Sequence, residues 1–264
     1  MDPTTILGIV LAVGALIGAN LMEGGELAAL VNIPAALIVF GGTFGATVVS
    51  TPMKNLLQTP KVALRAIFGK LPDPKDICTL LGELVIKSRR EGVLGLESEL
   101  PGVGDAFMRK GLALVVDGSD PSVLRGVLET EVASMAARHS AGAEVFKQMG
   151  GFAPTLGVLG TVMGLIHMLA KLNQPGDMGG AIAAAFIATF YGVASANLLF
   201  LPIAAKLKAR SGEETHIREV MIEGILSLQA GDNPMTLQER LKAFMAPKLQ
   251  ETIGQDGGKP AQAA

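Results

Sequence analysis

Four long apolar runs divide a chain whose remaining stretches alternate apolar and polar positions at helical spacing. The runs cover residues 4–21, 33–51, 149–169 and 181–205. Each is near the roughly 17–25 residues that a helix needs to cross a bilayer. None contains Asp, Glu, Lys or Arg. A buried helix of a soluble protein is also apolar all round. Four uncharged runs in one chain predict membrane helices instead. Outside them the period shifts to that of amphipathic helices. Asp73-Pro74 is a helix start, with Asp capping free amides and Pro suiting the first turn. Ile77, Leu80, Leu81, Leu84 and Val85 follow as one stripe. Ser119-Asp120-Pro121 is a second start, ahead of Val123, Leu124, Val127 and Leu128. Residues 213–229 are amphipathic, Gly231-Asp232-Asn233-Pro234 interrupts them, and 236–244 resume. Residues 254–264 have the composition of a disordered tail. No repeat period signals a solenoid. The expected fold is all-α: a polytopic membrane protein with four transmembrane helices and a helical cytoplasmic domain. Its expected divisions are 1–51, 52–148, 149–205 and 206–264.

Charge sharpens this picture and orients it. Only 17% of the 264 residues are charged, against about 25% in soluble domains. No basic residue precedes Lys54; thirteen lie between Lys54 and Lys147, eight between Lys206 and Lys259, and Lys171 stands apart. Lys and Arg accumulate on the cytoplasmic side. The 52–148 segment and both termini are therefore expected inside, and the joins 22–32 and 173–180 outside. The opening MDPTT has Asp2 and no basic residue, so the first run reads as a retained anchor. A net charge of −2 gives no reason to expect nucleic acid. The single cysteine, Cys78, excludes an internal disulfide and reads as a small buried residue.

The chemistry is sparse. GVLGTVMG in the third run is not a phosphate-binding loop, and His139, His167 and His216 are far apart with no cysteine near them. No metal site, cofactor or enzyme activity is expected. Within the apolar runs no carboxylate is available to carry an ion, although ion-translocating proteins hold one despite its cost. A partner would have to supply it. This chain offers hydroxyls: Thr155 and Thr161 in the third run, Thr189, Tyr191 and Ser195 in the fourth. Each either meets a neighbouring carboxyl or dehydrated cation, or bonds back to its own helix four residues earlier. Pro154 and Pro202 either permit flexure or mark helix boundaries. Ala153, Gly157, Gly160 and Gly164 form a small-residue face that lets another helix approach closely.

Several long stretches carry a resemblance. PAALIVFGGTFGATVVSTP, GGFAPTLGVLGTVMGLIHML and AAAFIATFYGVASANLLFLPIAAKL resemble the spans of the MotA/PomA flagellar stator family, within the wider MotA/TolQ/ExbB superfamily. KSRREGVLGLE resembles its cytoplasmic helix and GILSLQAGDNP is similar to a further motif near the C-terminus, and the likeness runs in order over about residues 4–245. The resemblance implies a bacterial inner-membrane protein in a homopentameric ring around two single-span MotB-type chains, which bring the ion-binding aspartate. Ion flow would turn the ring against the rotor protein FliG. By the same resemblance, Thr161 and Thr189 match the ion path, to which Thr155 and Tyr191 are also assigned. Pro154 and Pro202 match the conformational prolines. Arg89 and Glu97 match the rotor contacts, with Arg90 adjacent. Sodium-type members resemble one another in a Thr-Thr pair where this chain has Ala188-Thr189, which favours H+ over Na+. An ExbB/TolQ-like or non-flagellar MotA-like energiser of an envelope process is the alternative.

Overall fold

The computed structural model describes residues 3–69, 71–170 and 178–245. The tail expected at 254–264 lies outside them, as does most of the join at 173–180. Ten α-helices account for most of the described chain: α1 (Pro3–Met22), α2 (Ile33–Ala36), α3 (Gly42–Ser50), α4 (Met53–Phe68), α5 (Pro74–Glu91), α6 (Ala106–Val116), α7 (Pro121–Ala170), α8 (Met178–Ser195), α9 (Leu201–Gln229) and α10 (Pro234–Lys242). A π-helical segment, Leu37–Gly41, joins α2 to α3, and another, Ala196–Phe200, joins α8 to α9. Among the described residues, three helical runs are long and apolar enough to cross a membrane: Leu27–Ser50 and portions of Pro121–Ala170 and Met178–Gln229. The first run of the sequence appears as a shorter apolar stretch, Ile6–Met22.

The chain separates into two units. One comprises residues 1–70 and 138–210, and the other 71–137 and 211–264. The divisions expected at 148 and 205 fall inside α7 and α9, which continue through them.

In the first unit the surface is rich in exposed apolar side chains, among them Leu7, Leu11, Leu37, Val49, Ile166 and Phe186. Its buried positions are small. Helix α7 meets α8 through glycines. A Cβ at Gly192 would stand 2.5 Å from the Ala153 carbonyl oxygen and 3.0 Å from Gly157 Cα. A Cβ at Gly164 would come within 2.6 Å of Ala185 Cβ. Here backbone rests on backbone, the packing open to helices that have no hydrophobic drive between them in lipid.

The second unit holds a conventional core. Ile77, Leu81, Leu84 and Val85 of α5 pack with Met108 and Leu112 of α6, Leu124 and Leu128 of α7, and Met221, Ile225 and Leu228 of α9. Both expected helix starts occur. Asp73 accepts from the Lys75 amide (2.9 Å), and Asp120 accepts from the Ser122 amide (2.8 Å) ahead of Pro121. Only half of the apolar group behind Pro121 is core, however: Val123 and Val127 are exposed. The 87–97 stretch, KSRREGVLGLE, is not one helix. Helix α5 ends at Glu91, Gly92 takes φ +80°, and a 3₁₀ segment covers Val93–Gly102. A positive φ is open to Gly at little steric cost and breaks the helical path. Cys78 is only half-buried, and desolvation pushes its thiol pKa up to about 11.

Asp105 organises the start of α6. It accepts from the Phe107 and Met108 amides at 2.9 and 3.0 Å and from Arg218 of α9 at 2.6 Å. The Arg218 guanidinium also lies 5.0 Å from the Phe107 ring centre. Burial opposes the Asp105 charge, but Arg218 and the two amides outweigh it and hold the carboxyl below its ordinary value. A carboxyl with a lowered folded-state pKa stabilises at pH above its unfolded value. That contribution fades as pH falls through the folded value. Asp105→Ala is therefore expected to destabilise α6 by about 2 kcal/mol at neutral pH. The difference from wild type should shrink below about pH 4. Amide exchange of α6 across pH measures both.

Candidate functional site

The seam between α7 and α8 brings together two of the hydroxyls singled out in the sequence. Thr161 and Thr189 are hydrogen-bonded to each other through their Oγ1 atoms. Thr161 Oγ1 also lies 3.1 Å from both Gly157 O and Ala185 O, and Thr189 Oγ1 is 3.3 Å from Gly157 O. Thr161 thus bonds back to its own helix and across to the next. Two hydroxyl protons serve more acceptors than they can fill at once, so rotation about Cβ–Oγ changes which oxygen is left as an acceptor. The glycine seam makes this possible, since Gly157 and Gly192 leave no side chain between the two threonines' helices.

The other three hydroxyls have different settings. Thr155 is exposed and donates to Phe152 O at 2.8 Å, a bond within its own helix. Tyr191 belongs to the seam of α8 with α2: its hydroxyl donates to Leu30 O and accepts from the Asn32 amide at 3.1 Å. Its ring lies 6.0 Å from that of Phe40. The structure therefore places Tyr191 as a brace to the 27–32 corner, apart from the Thr161–Thr189 hydrogen-bond group. Ser195 Oγ is buried and donates to Gly192 O.

The prolines sit within helical runs. Pro154 lies inside the continuous helix α7, where it has no amide to donate one turn back. Pro202 lies just beyond the π-helical segment Ala196–Phe200. A proline ring clashes with the carbonyl four residues earlier, and a π-turn widens the helix at that point.

Two hydroxyls escaped the sequence reading. Ala35, Val39, Thr43 and Thr47 are buried at intervals of four, and Ala35 and Val39 of this face pack with Ala188. Thr47 donates to Thr43 O at 2.7 Å, while Thr43 Oγ1 is buried without a hydrogen-bond partner among the described residues. The i, i+4 spacing of small residues was the available signal.

In the second unit, Arg89 and Arg90 end α5 and Glu97 lies in the 3₁₀ segment. All three are exposed. Their charged neighbours are engaged: Lys87 pairs with Glu99 and with Glu91, and the Glu99 carboxylate holds the Lys87 pKa above its ordinary value. Among the described residues no ion pair involves Arg89, Arg90 or Glu97. The exposed apolar side chains Ile86 and Leu94 belong to the same two elements. Three unengaged charges with exposed apolar groups suit a protein partner.

Residues 100–220 match the MotA/TolQ/ExbB proton channel family, and residues 6–92 match the N-terminal region of motility protein A. The motility protein A of Bacillus subtilis (strain 168) is 38% identical over 259 residues, covering 97% of this chain and 96% of that protein. The chain belongs to the MotA/PomA family. The chemotaxis protein PomA of Vibrio alginolyticus is 34% identical over 245 residues, covering 93% and 96% of the two chains. The flagellar MotAB stator complex from Bacillus subtilis superposes with a TM-score of 0.89 at 38% identity, over 95% of this chain and 99% of that one. Membership of this family, with the apolar helical runs, makes the chain an inner-membrane protein.

Proposed function

We infer that this MotA/PomA-family chain works as a stator subunit of the bacterial flagellar motor, turning an ion current into torque. The observation that carries the mechanism is the Thr161–Thr189 hydroxyl pair, set in a glycine seam between helices whose apolar runs hold no carboxylate. The pair offers oxygens and protons but no ionisable acid. The MotAB name of the relative supports a MotB-type partner; in this reading that partner has a single span and brings the aspartate. When charged, that aspartate prefers the hydroxyls; when neutralised, it tolerates the apolar faces. In a homopentameric ring around two such partners, each neutralisation shifts the preferred subunit and the ring steps. About 2.3 kcal/mol per charge per 100 mV is available for this. Pro154 and Pro202 sit where the helices flex between steps.

The chain crosses the membrane four times, Ile6–Met22 being the first crossing, with both termini in the cytoplasm. The proton is favoured over sodium, because Ala188 precedes Thr189 where a second hydroxyl ligand would serve a dehydrated cation. The N-terminal match to motility protein A favours the flagellar role over an ExbB/TolQ-like one. Swimming speed measured against external sodium, with and without a protonophore, tests the ion. Loss of motility with the protonophore at every sodium concentration is expected; sodium-dependent, protonophore-resistant swimming overturns the proton reading.

Arg89, Arg90 and Glu97 contact the rotor protein FliG in this reading. Arg89→Glu and Glu97→Lys are each expected to weaken rotor engagement by about fivefold, the scale of one exposed ion pair. Torque on tethered cells should fall while the membrane level of the protein holds. Unchanged torque in both variants removes these residues from the rotor contact.

A further inference from the structure

Helix α4 (Met53–Phe68) presents distinct rows along its length. Thr59 is buried, and Val62 packs against α7 at Gly142, where its Cγ1 comes within 2.9 Å of the place a Cβ would take. Met53, Leu57 and Leu64 are 61%, 69% and 57% exposed, with exposed Pro60 between them. Their spacing of four, seven and eleven positions from Met53 makes one straight apolar row. Lys54 and Lys61 form a second row directly beside it, and Arg65 is the next position in that register. The helix contains no Asp or Glu. Among the described residues neither Lys54 nor Lys61 makes an ion pair, whereas Lys87, Lys110, Arg125, Arg218 and Arg240 all do.

The position of α4 is as particular as its composition. It begins at Met53, just after the apolar run that ends at Ser50. The turn between them is pinned, since the Ser50 and Thr51 hydroxyls both donate to Gln148 Oε1 at 3.0 Å.

We propose that α4 is a surface-seated helix that binds anionic phospholipid. The Met53–Leu57–Leu64 row enters the boundary of headgroups and acyl chains, and the Lys54 and Lys61 ammonium groups rise to the anionic headgroups. An apolar row edged by cations is the pattern of an interfacial helix, and lysine stems lie along apolar surface while their charges stay in the polar layer. A soluble polyanion would engage the lysines and leave the apolar row in water. A second copy of the chain would cover the apolar row without calling for a helix free of acids. The proposal rests on the reading of the adjoining 33–50 run as a membrane helix, so its test tracks the two separately.

The full-length chain with its partner subunit is reconstituted in phosphatidylcholine vesicles with and without phosphatidylglycerol. Cys78→Ser provides the background, and a polarity-sensitive fluorophore is attached through Leu57→Cys or Leu37→Cys. The expected result is quenching of the Leu57→Cys label by nitroxides near the headgroups and none by aqueous iodide. Preference for spin-labelled phosphatidylglycerol over phosphatidylcholine should fall about fivefold with Lys54→Gln and again with Lys61→Gln. Iodide quenching at Leu57→Cys overturns the proposal, leaving the row in solvent. Shielding from both quenchers overturns it in favour of a protein surface, such as a neighbouring copy. Lipid quenching with an unchanged lipid preference removes the anionic headgroups from it. A Leu37→Cys label untouched by acyl-chain nitroxides shows instead that the membrane reading of the 33–50 run has failed.

Discussion

Cells whose only stator subunit carries Gly192→Ala are expected to be non-motile, with the protein still inserted in the membrane. The added methyl group would meet Ala153 O at 2.5 Å and Gly157 Cα at 3.0 Å. Both are backbone atoms, so no side-chain rearrangement makes room. The α7–α8 seam must open, at an overpacking cost of about 1–3 kcal/mol. The functional loss exceeds the energetic one, because the Thr161–Thr189 bond depends on that close approach. Gly151→Ala, on the facing helix α7, is the control, since nothing lies within 4 Å of its added carbon. Torque on tethered cells and the amount of protein in the membrane fraction decide the matter. Full torque in the Gly192→Ala strain would show that the seam is not held as closely as described.

The second large effect concerns the hydroxyls themselves. Thr189→Val keeps the shape of the side chain and removes its oxygen, leaving Thr161 with only the Gly157 and Ala185 carbonyls. Torque is expected to drop to about a tenth, the equivalent of losing one hydrogen bond near 1.4 kcal/mol at the step that limits rotation. Thr189→Ser should retain most of the torque. Thr161→Val should resemble Thr189→Val, and the double variant should be little worse than either, since residues of one hydrogen-bonded group are not additive. Motor speed under high and low load separates this from a folding defect, which would lower the number of working units rather than the torque of each. Additive losses would show that the two threonines act apart.

The helices and the residue types of the site were legible in the sequence, and their partnerships were not. The helix starts at Asp73 and Asp120 follow from local capping chemistry, which the sequence displays directly. Thr161 and Thr189 stood out because oxygens are scarce in uncharged apolar runs. Nothing in their spacing showed that they bond each other, since they are 28 positions apart on different helices. Tyr191 was grouped with them as another hydroxyl of the fourth apolar run, and its oxygen serves the 27–32 corner. A residue two positions along a helix faces a different neighbour. The break at Gly92 was masked by the apolar positions on both sides of it, which continue a plausible helical pattern. The two π-helical segments have no sequence signature beyond the proline that follows one of them.

Tyr191 also limits how α8 moves. A single phenolic oxygen holds both Leu30 and Asn32, so these two contacts form or break together. A slide or roll of α8 past α2 by more than about 1 Å would sever both, because hydrogen bonds weaken steeply beyond their normal length. While that oxygen stays engaged, the 27–32 corner is cargo of α8 and travels with it. Any displacement of α8 would then be absorbed by segments that this tether does not reach, and Tyr191→Phe would release the corner to lag behind.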